Sequence, residues 1–458
     1  MTENIDRKWW VLIAIGTGSF MSALDASVVN TILPIVRQAF DSNVAAIEWV
    51  VTVYLLVLSG LLLTFGRLGD LRGHKSIYLL GFGIFIVSSA LCGAAWSATM
   101  LVIFRSLQAI GGAMLASNAP AIVTGNFPAE QRGRAFGLVS TMTYLGLTVG
   151  PSLGGWLTQA FGWRTVFYIN VPVGILAFVL SQHFIPKDYP SEKEQRFDLP
   201  GAAVFLAGLT SLLLSLNKGA EWGWSSSAVL GLLLLALILL VIFILIEKKS
   251  LTPMLDLSLF RIPLFSTSVV SAVLNYICVY SITFLMPFYL IQGRGLNPAQ
   301  AGLLLTVQPV LMAITAPVSG ALSDRIGSRW PGMIGMGVLS AGLYLLSRVG
   351  AMTGLWLVGL GLAIVGAGTG AFISPNTSAL MGAAPRARQG IASGVQGAAR
   401  NFGMVLGIGM AGAIFTTHLA QNTVDALFKG ISQGFLVAAG VAIFGILTSA
   451  IKDESKRT

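Results

Sequence analysis

Runs of about 20 apolar residues recur along this chain, each closed by charged residues or by Gly/Pro clusters. A run of that length crosses a bilayer only as a helix, because the hydrocarbon offers no partner to open backbone groups. The runs lie near 9–36, 46–66, 76–96, 99–121, 133–159, 164–185, 199–217, 226–246, 264–291, 298–319, 331–349, 353–380, 389–417 and 430–450. These fourteen segments predict an all-α polytopic membrane protein with short loops. Only 10% of the residues are charged and 55% are hydrophobic, whereas a soluble domain carries about 25% charged residues. The first run is too long for the apolar part of a signal peptide and is read as the first spanning helix.

An even number of spans returns both chain ends to one side. Arg37, Arg164, Lys218, Arg294, Arg348 and Lys429 fall on the other side. Arg105 and Arg400 fall inside spans, and the rest of the 28 Lys/Arg share the side of the chain ends. The positive-inside rule makes that side cytoplasmic. The net charge of +10 is then a topology signal, not a footprint for nucleic acid. The expected location is a cell membrane, of the bacterial inner-membrane kind, crossed many times with both termini cytoplasmic. Cys92 and Cys278 lie within apolar runs, so neither a disulfide framework nor a metal site is indicated.

Two stretches repeat. GRLGDLRGHK (66–75) matches GALSDRIGSR (320–329), with Gly66, Asp70 and Gly73 opposite Gly320, Asp324 and Gly327. The stretch that starts PAEQRGRAFG at Pro128 matches the one that starts PRARQGIASG at Pro385. There Gly133, Ala135, Gly137, Gly146 and Gly150 find identical partners 257 positions on. The chain therefore divides into a first half of six helices (1–185), a middle part (186–261) and a second half of six helices (262–458). The middle part holds a linker, two extra helices and a surface segment. Parallel repeats of this kind are a transporter architecture, with the cargo site between the halves near the midplane. A duplicated bundle without a transport role is the plainer alternative.

Within the first run, LDASVVNTILP (24–34) carries Asp25. Counting from Trp10, Asp25 lies roughly 22 Å in at 1.5 Å per residue. Arg105 enters from the other side and lies roughly 10 Å down its own span, so the two reach similar depth in a core about 30 Å thick. Intramembrane ionisable groups face a cavity or each other and mark functional sites. An acid whose surroundings change between two conformations can take up a proton in one and release it in the other. A permanent structural pair with Arg105 is the competing reading, and Gln108 lies one turn from Arg105 on the same face.

Six stretches together carry a family resemblance. GRLGDLRGHK resembles the cytoplasmic loop signature of the major facilitator superfamily, and RSLQAIGGA (105–113) resembles its helix-4 motif. GLTVGPSLGG (146–155) resembles the helix-5 motif of its antiporters. LDASVVNTILP, WRTVFYINVPVG (163–174) and FDLPG (197–201) are similar to stretches of its fourteen-helix drug:proton antiporters. The resemblance covers nearly the whole chain. It implies the major facilitator fold with 14 transmembrane helices arranged 6 + 2 + 6. It also implies a monomer that moves a small lipophilic substrate by alternating access, with protons as coupling ion and no cofactor. Asp25 and Arg105 would carry proton coupling. Gly66, Arg67, Asp70, Arg72, Gly73 and Lys75 would form a cytoplasmic gate, with Asp324 and Arg325 as a partial copy. That copy departs from the pattern at Ser323 and Trp330, which leaves its gating role open. For Lys75 and Arg329, plain positive-inside charge is an equal alternative. Gly146, Gly150, Pro151, Gly154 and Gly155 would form the export motif at the interface of the halves; tight helix packing is the alternative.

A central cavity needs few polar groups to fix a ligand. Asn30, Trp49, Tyr54, Gln108, Asn275, Tyr276, Gln308 and Asn401 are the candidates, and Arg400 is a weaker counterpart of Arg105 that could also sit near the cytoplasmic edge. With a single deep acid, the expected cargo is a neutral or monocationic lipophilic drug or toxic compound. An exporter or flippase of a lipid or endogenous metabolite is the runner-up, since fold does not fix substrate. A membrane enzyme is disfavoured, because His74, His183 and His418 lie at span ends or loops with no nucleophile or metal spacing. A sensor would need an added soluble domain, for which the chain ends are short.

Overall fold

The computed structural model describes residues 2–42, 44–187, 198–223, 225–249, 255–419 and 424–451. Among them there are helices and no strands. The α-helices are α1 (Thr2–Ala39), α2 (Val44–Arg72), α3 (His74–Gly93), α4 (Ala98–Asn126), α5 (Arg132–Phe161), α6 (Thr165–Tyr168), α7 (Asn170–Phe184) and α8 (Leu199–Trp222). They continue with α9 (Ser227–Lys249), α10 (Pro263–Pro287), α11 (Pro298–Leu305), α12 (Val307–Ile326), α13 (Arg329–Ser347), α14 (Leu355–Ala383), α15 (Gln389–Leu419) and α16 (Val424–Ala450).

These build the fourteen expected spans, with two of them broken. The sixth is α6 then α7, and the tenth is α11 then α12. Proline explains both breaks: Pro172 and Pro309 have no N–H to give the carbonyls of Tyr168 and Leu305, where the preceding helices end. Among the described residues thirteen helical spans are long and apolar enough, by length and composition, to cross a membrane. Helix α5 is not among them, because glycine, threonine and serine dilute its 30 residues.

In the first six spans α1 packs on α5 and α7, and α4 on α2 and α3. In the last six α10 packs on α15 and α16, and α13 on α14 and α16. Large buried clusters fill each set, one around Tyr78, Phe82 and Phe85, the other around Tyr289, Leu339 and Phe435. The two sets meet along two seams, α5 on α12 and α2 on α15. The α8–α9 pair lies over the second seam, where α8 touches both α2 and α15 and Leu206 fills the space beside Gly60. Helix α9 is otherwise largely open to its surroundings, which suits a lipid-facing scaffold.

Candidate functional site

A fully buried polar cluster lies inside the first six spans. Asp25 and Arg105 are each 1% exposed and pair directly, Arg105 Nη1 donating to Asp25 Oδ2 at 2.7 Å. Asp25 Oδ1 accepts from Gln108 Nε2 at 3.1 Å and from Asn170 Nδ2 at 2.7 Å. Gln108 Oε1 accepts a second bond from Arg105 Nη1 at 2.7 Å. Gln108 and Asn170 both also reach the hydroxyl of Ser89, which donates to the Phe167 carbonyl. Tyr54 covers the guanidinium, its ring centre 4.2 Å from the charge. A buried charge survives only when paired and hydrogen-bonded, and this carboxylate has three donors from α4 and α7.

Asn170 and Ser89 were not among the sequence candidates. Asn170 stands in the quoted stretch 163–174 at the first position of α7, so the break before Pro172 aims it at Asp25. Ser89 had no sequence signal beyond a polar residue in an apolar helix.

The second constellation closes one face of the bundle. Asp70 Oδ1 accepts the Gly390 N–H at 2.8 Å and Oδ2 the Ile391 N–H at 3.0 Å, at the first turn of α15. Asp324 Oδ1 accepts the Gly133 N–H at 2.7 Å and Oδ2 the Arg134 N–H at 2.9 Å, at the first turn of α5. Each carboxylate thus caps a helix N-terminus in the opposite set, where four N–H groups lack partners and the helix dipole favours negative charge. The two sequence repeats are the two sides of one device used twice. Backbones touch at both latches. A Cβ on Gly66 would stand 2.2 Å from the Gly390 oxygen, and one on Gly133 2.3 Å from the Gly320 oxygen. Despite Ser323 and Trp330, the second copy has the geometry of the first.

Among the other members of the expected gate, Arg67 lies beside the Asp70 latch and the rest have separate places. Lys75 donates to the Gln182 and Ile185 carbonyls at the end of α7, within its own six spans. Arg72 and Arg325 are exposed. Gly73 turns the chain into α3 with φ 91°, a conformation suited to glycine. Arg67 is buried among the charges of Asp70, Glu247 and Asp256. His74 meets Asp70 Oδ1 at 3.4 Å and Asn118 Oδ1 at 2.8 Å.

The glycine motif of α5 seats α1, not the opposite set. A Cβ on Gly146 would stand 2.6 Å from the Phe20 oxygen, one on Gly150 1.8 Å from Ser27 Oγ, and one on Gly154 2.5 Å from Val28. Ser27 also donates to the Gly146 carbonyl at 3.3 Å. The motif therefore presses on the turn of α1 that carries Asp25. Gly155 faces open space, and α5 runs unbroken through Pro151. The contact with the opposite set comes from Gly133, Gly137 and Thr141 on the same helix, Thr141 donating to the Ala313 carbonyl at 2.8 Å.

The cavity candidates scatter. Gln108 belongs to the ion-pair cluster, and Tyr54 stacks on it. Asn275 is fully buried against Met336 inside the last six spans. Gln308 is buried with its carbonyl close to Gly366, and Trp49 packs against the first core. Asn401 donates to Ser59 at 2.6 Å, a bond between the sets at mid-span. Tyr276 is half-buried and lies against Gly403 of α15. The side chain of Asn30 lies outside the described residues. Arg400 lies well inside α15, roughly 16 Å from Gln389 at 1.5 Å per residue, so it is not an edge residue.

Known proteins share this organisation. The family model described as Major Facilitator Superfamily matches twice, over residues 15–267 and 268–457. The chain is 34% identical to the riboflavin transporter RibZ of Clostridioides difficile over 96% of both chains. It is 33% identical to the multidrug resistance protein Stp of Mycobacterium tuberculosis, over 92% of this chain and 78% of that one. It is 31% identical to the tetracenomycin C resistance and export protein of Streptomyces glaucescens, over 91% and 77%. The crystal structure of the human organic anion transporter MFSD10 (TETRAN) superposes with TM-score 0.70 at 16% identity, over 96% of this chain and 99% of that one, a likeness of fold. With its six-helix sets latched face to face and its doubled family match, the chain belongs to the Major Facilitator Superfamily, as a transporter related to that family's multidrug resistance and export proteins.

Proposed function

We propose that this transporter exports small lipophilic drug-like compounds in exchange for protons, by alternating access across a bacterial cell membrane. The observation that carries the reading is the buried Asp25–Arg105 pair, sealed by Gln108, Asn170 and Tyr54. A carboxylate held this way changes its proton affinity when the packing around it changes, and α5 presses on its turn of α1 while also forming a seam with α12. Rocking at that seam therefore moves the surroundings of Asp25. The latched face is the cytoplasmic one by the positive-inside rule, so this conformation is closed to the cytoplasm. The unit is a monomer, with no cofactor beyond the proton. At 100 mV one charge is worth about 2.3 kcal/mol, enough for roughly a fifty-fold gradient of a neutral cargo.

The test uses purified protein in proteoliposomes with a pH-sensitive dye inside and a panel of lipophilic compounds outside. Substrate-driven proton release is expected from the native protein and is expected to vanish in Asp25→Asn of unchanged elution profile. Release that survives in Asp25→Asn reduces Asp25 to a structural residue. A second reading, export of an endogenous metabolite, is favoured by the similarity to a riboflavin transporter. Riboflavin belongs on the panel, and proton release with it alone would select that reading.

A further inference from the structure

Three intramembrane charges have different surroundings. Asp25 and Arg105 are satisfied by each other and are closed off. Arg400 on α15 is half-buried and, among the described residues, forms no ion pair. Its one hydrogen bond among the described residues is a long contact from Nε to Asn401 Oδ1 at 3.5 Å, so the edge with two NH₂ groups is uncommitted there. Asn401 itself is held by Ser59 across the seam, which fixes the α15 backbone beside Arg400.

Tyrosines of three helices share this part of the bundle. Tyr54, Tyr144, Tyr276 and Tyr280 all lie within electrostatic reach of Arg400. They come from α2, α5 and α10, so both sets contribute. Tyr144 sits in the seam with Met312, Ala313 and Ala316, and Tyr276 rests one turn from Arg400 against Gly403. Among the described residues the hydroxyls of Tyr144, Tyr276 and Tyr280 make no hydrogen bond to protein. Counted along their helices from Arg132, Pro263 and Gln389, Tyr144, Tyr276 and Arg400 all lie roughly 16–20 Å deep, near the middle of a core about 30 Å thick.

We infer that Arg400 with Tyr144, Tyr276 and Tyr280 forms the central cargo site, and that the site takes aromatic molecules bearing an anionic or strongly accepting oxygen, such as a phenolate, enolate or carboxylate. An uncommitted arginine offers a fork of donors that matches such oxygens. The phenol hydroxyls add neutral donors, and the rings supply apolar aromatic walls. A lipophilic cation would meet like charge in a medium of low dielectric. The monocation expected from the lone deep acid is thereby disfavoured, because that acid is spent on Arg105. The inference deepens the export reading and rests on it only for the claim that the bound molecule is cargo.

Two xanthene dyes of one shape and opposite charge test it: fluorescein, anionic at pH 7.5, and rhodamine 123, a cation. Equilibrium binding to the full chain in nanodiscs of neutral lipid is read by fluorescence polarisation, with no proton gradient and with empty nanodiscs as the partition control. Fluorescein is expected to bind about tenfold or more tightly than rhodamine 123. Arg400→Gln is expected to remove that preference, Arg400→Lys to keep part of it, and the double substitution Tyr276→Phe/Tyr280→Phe to weaken fluorescein binding. The lysine variant guards against misfolding, since it retains the charge and the bulk. Equal or tighter binding of rhodamine 123, no binding of fluorescein, or fluorescein binding unchanged in Arg400→Gln overturns the inference. The two readings fail separately. Arg400-dependent binding without proton release defeats the antiport reading alone, and proton release driven by a cation without fluorescein binding defeats this one alone.

Discussion

Asn170 supports the buried pair from a third helix, and its contribution is separable from that of Arg105. Its Nδ2 gives Asp25 Oδ1 a 2.7 Å bond. Replacing it by leucine leaves a buried carboxylate one donor short, which costs about 1–3 kcal/mol. The expected result is a lower thermal midpoint together with slower substrate-driven proton release. Losing Arg105 is worse, since Asp25 then stays buried without its counter-charge, at about 3–5 kcal/mol. Arg105→Gln is therefore expected to be less stable than the double variant Asp25→Asn/Arg105→Gln, measured as midpoints in one detergent. The sequence made Asp25, Arg105 and Gln108 visible because charge and amide groups stand out in apolar runs. Asn170 was hidden by its position at what looked like the start of an ordinary span.

At the scale of elements, α5 joins two contacts along its length. Its first turns meet α12 through Gly133 and Gly137, and its middle holds α1 through Gly146, Gly150 and Gly154. Gly150→Ala drives a methyl into Ser27, and overpacking of that kind costs about 1–3 kcal/mol. Transport is expected to fall sharply, and proteoliposome uptake measures it. Gly155→Ala, one residue into open space, is expected to leave uptake unchanged and to raise the midpoint slightly through helix propensity. The GxxxG spacing was legible; which neighbour it faced was not, because spacing fixes a helix face and not the partner on it. The latches show the same limit. Asp70 and Asp324 were found as repeats of each other, and Gly133 and Gly390 as a separate repeat. Nothing local said that the acids of one pair cap the helices of the other. Asp70→Ala and Asp324→Ala are each expected to cost about 1 kcal/mol of the closed state. Maleimide labelling of a cysteine placed at the buried Ser393, behind the Asp70 latch, is expected to rise in either variant and more in both together.

On the scale of the whole molecule, two six-helix sets meet along two seams, and the α8–α9 pair covers one of them. The uneven spread of lysine and arginine is the basis on which we propose that both ends face the cytoplasm. A green fluorescent protein fused to the last residue is expected to fluoresce, and alkaline phosphatase in its place to stay inactive. The opposite pair of results would invert the membrane orientation and turn the latched face outward.

The sequence by itself determined the class, the number of spans, the internal duplication and the family. The first three follow from one-dimensional quantities, run length against bilayer thickness and identities at nearly one offset, and the family from six motifs that resemble its signatures. Tertiary structure decided how the charges are used. Asp25 is committed to Arg105, Gln108 and Asn170, Lys75 caps a helix in its own set, and Arg400 forms no ion pair among the described residues. The physical reason is that the cost of a charge in the membrane depends on which partners surround it, and those partners come from helices up to 145 residues away along the chain.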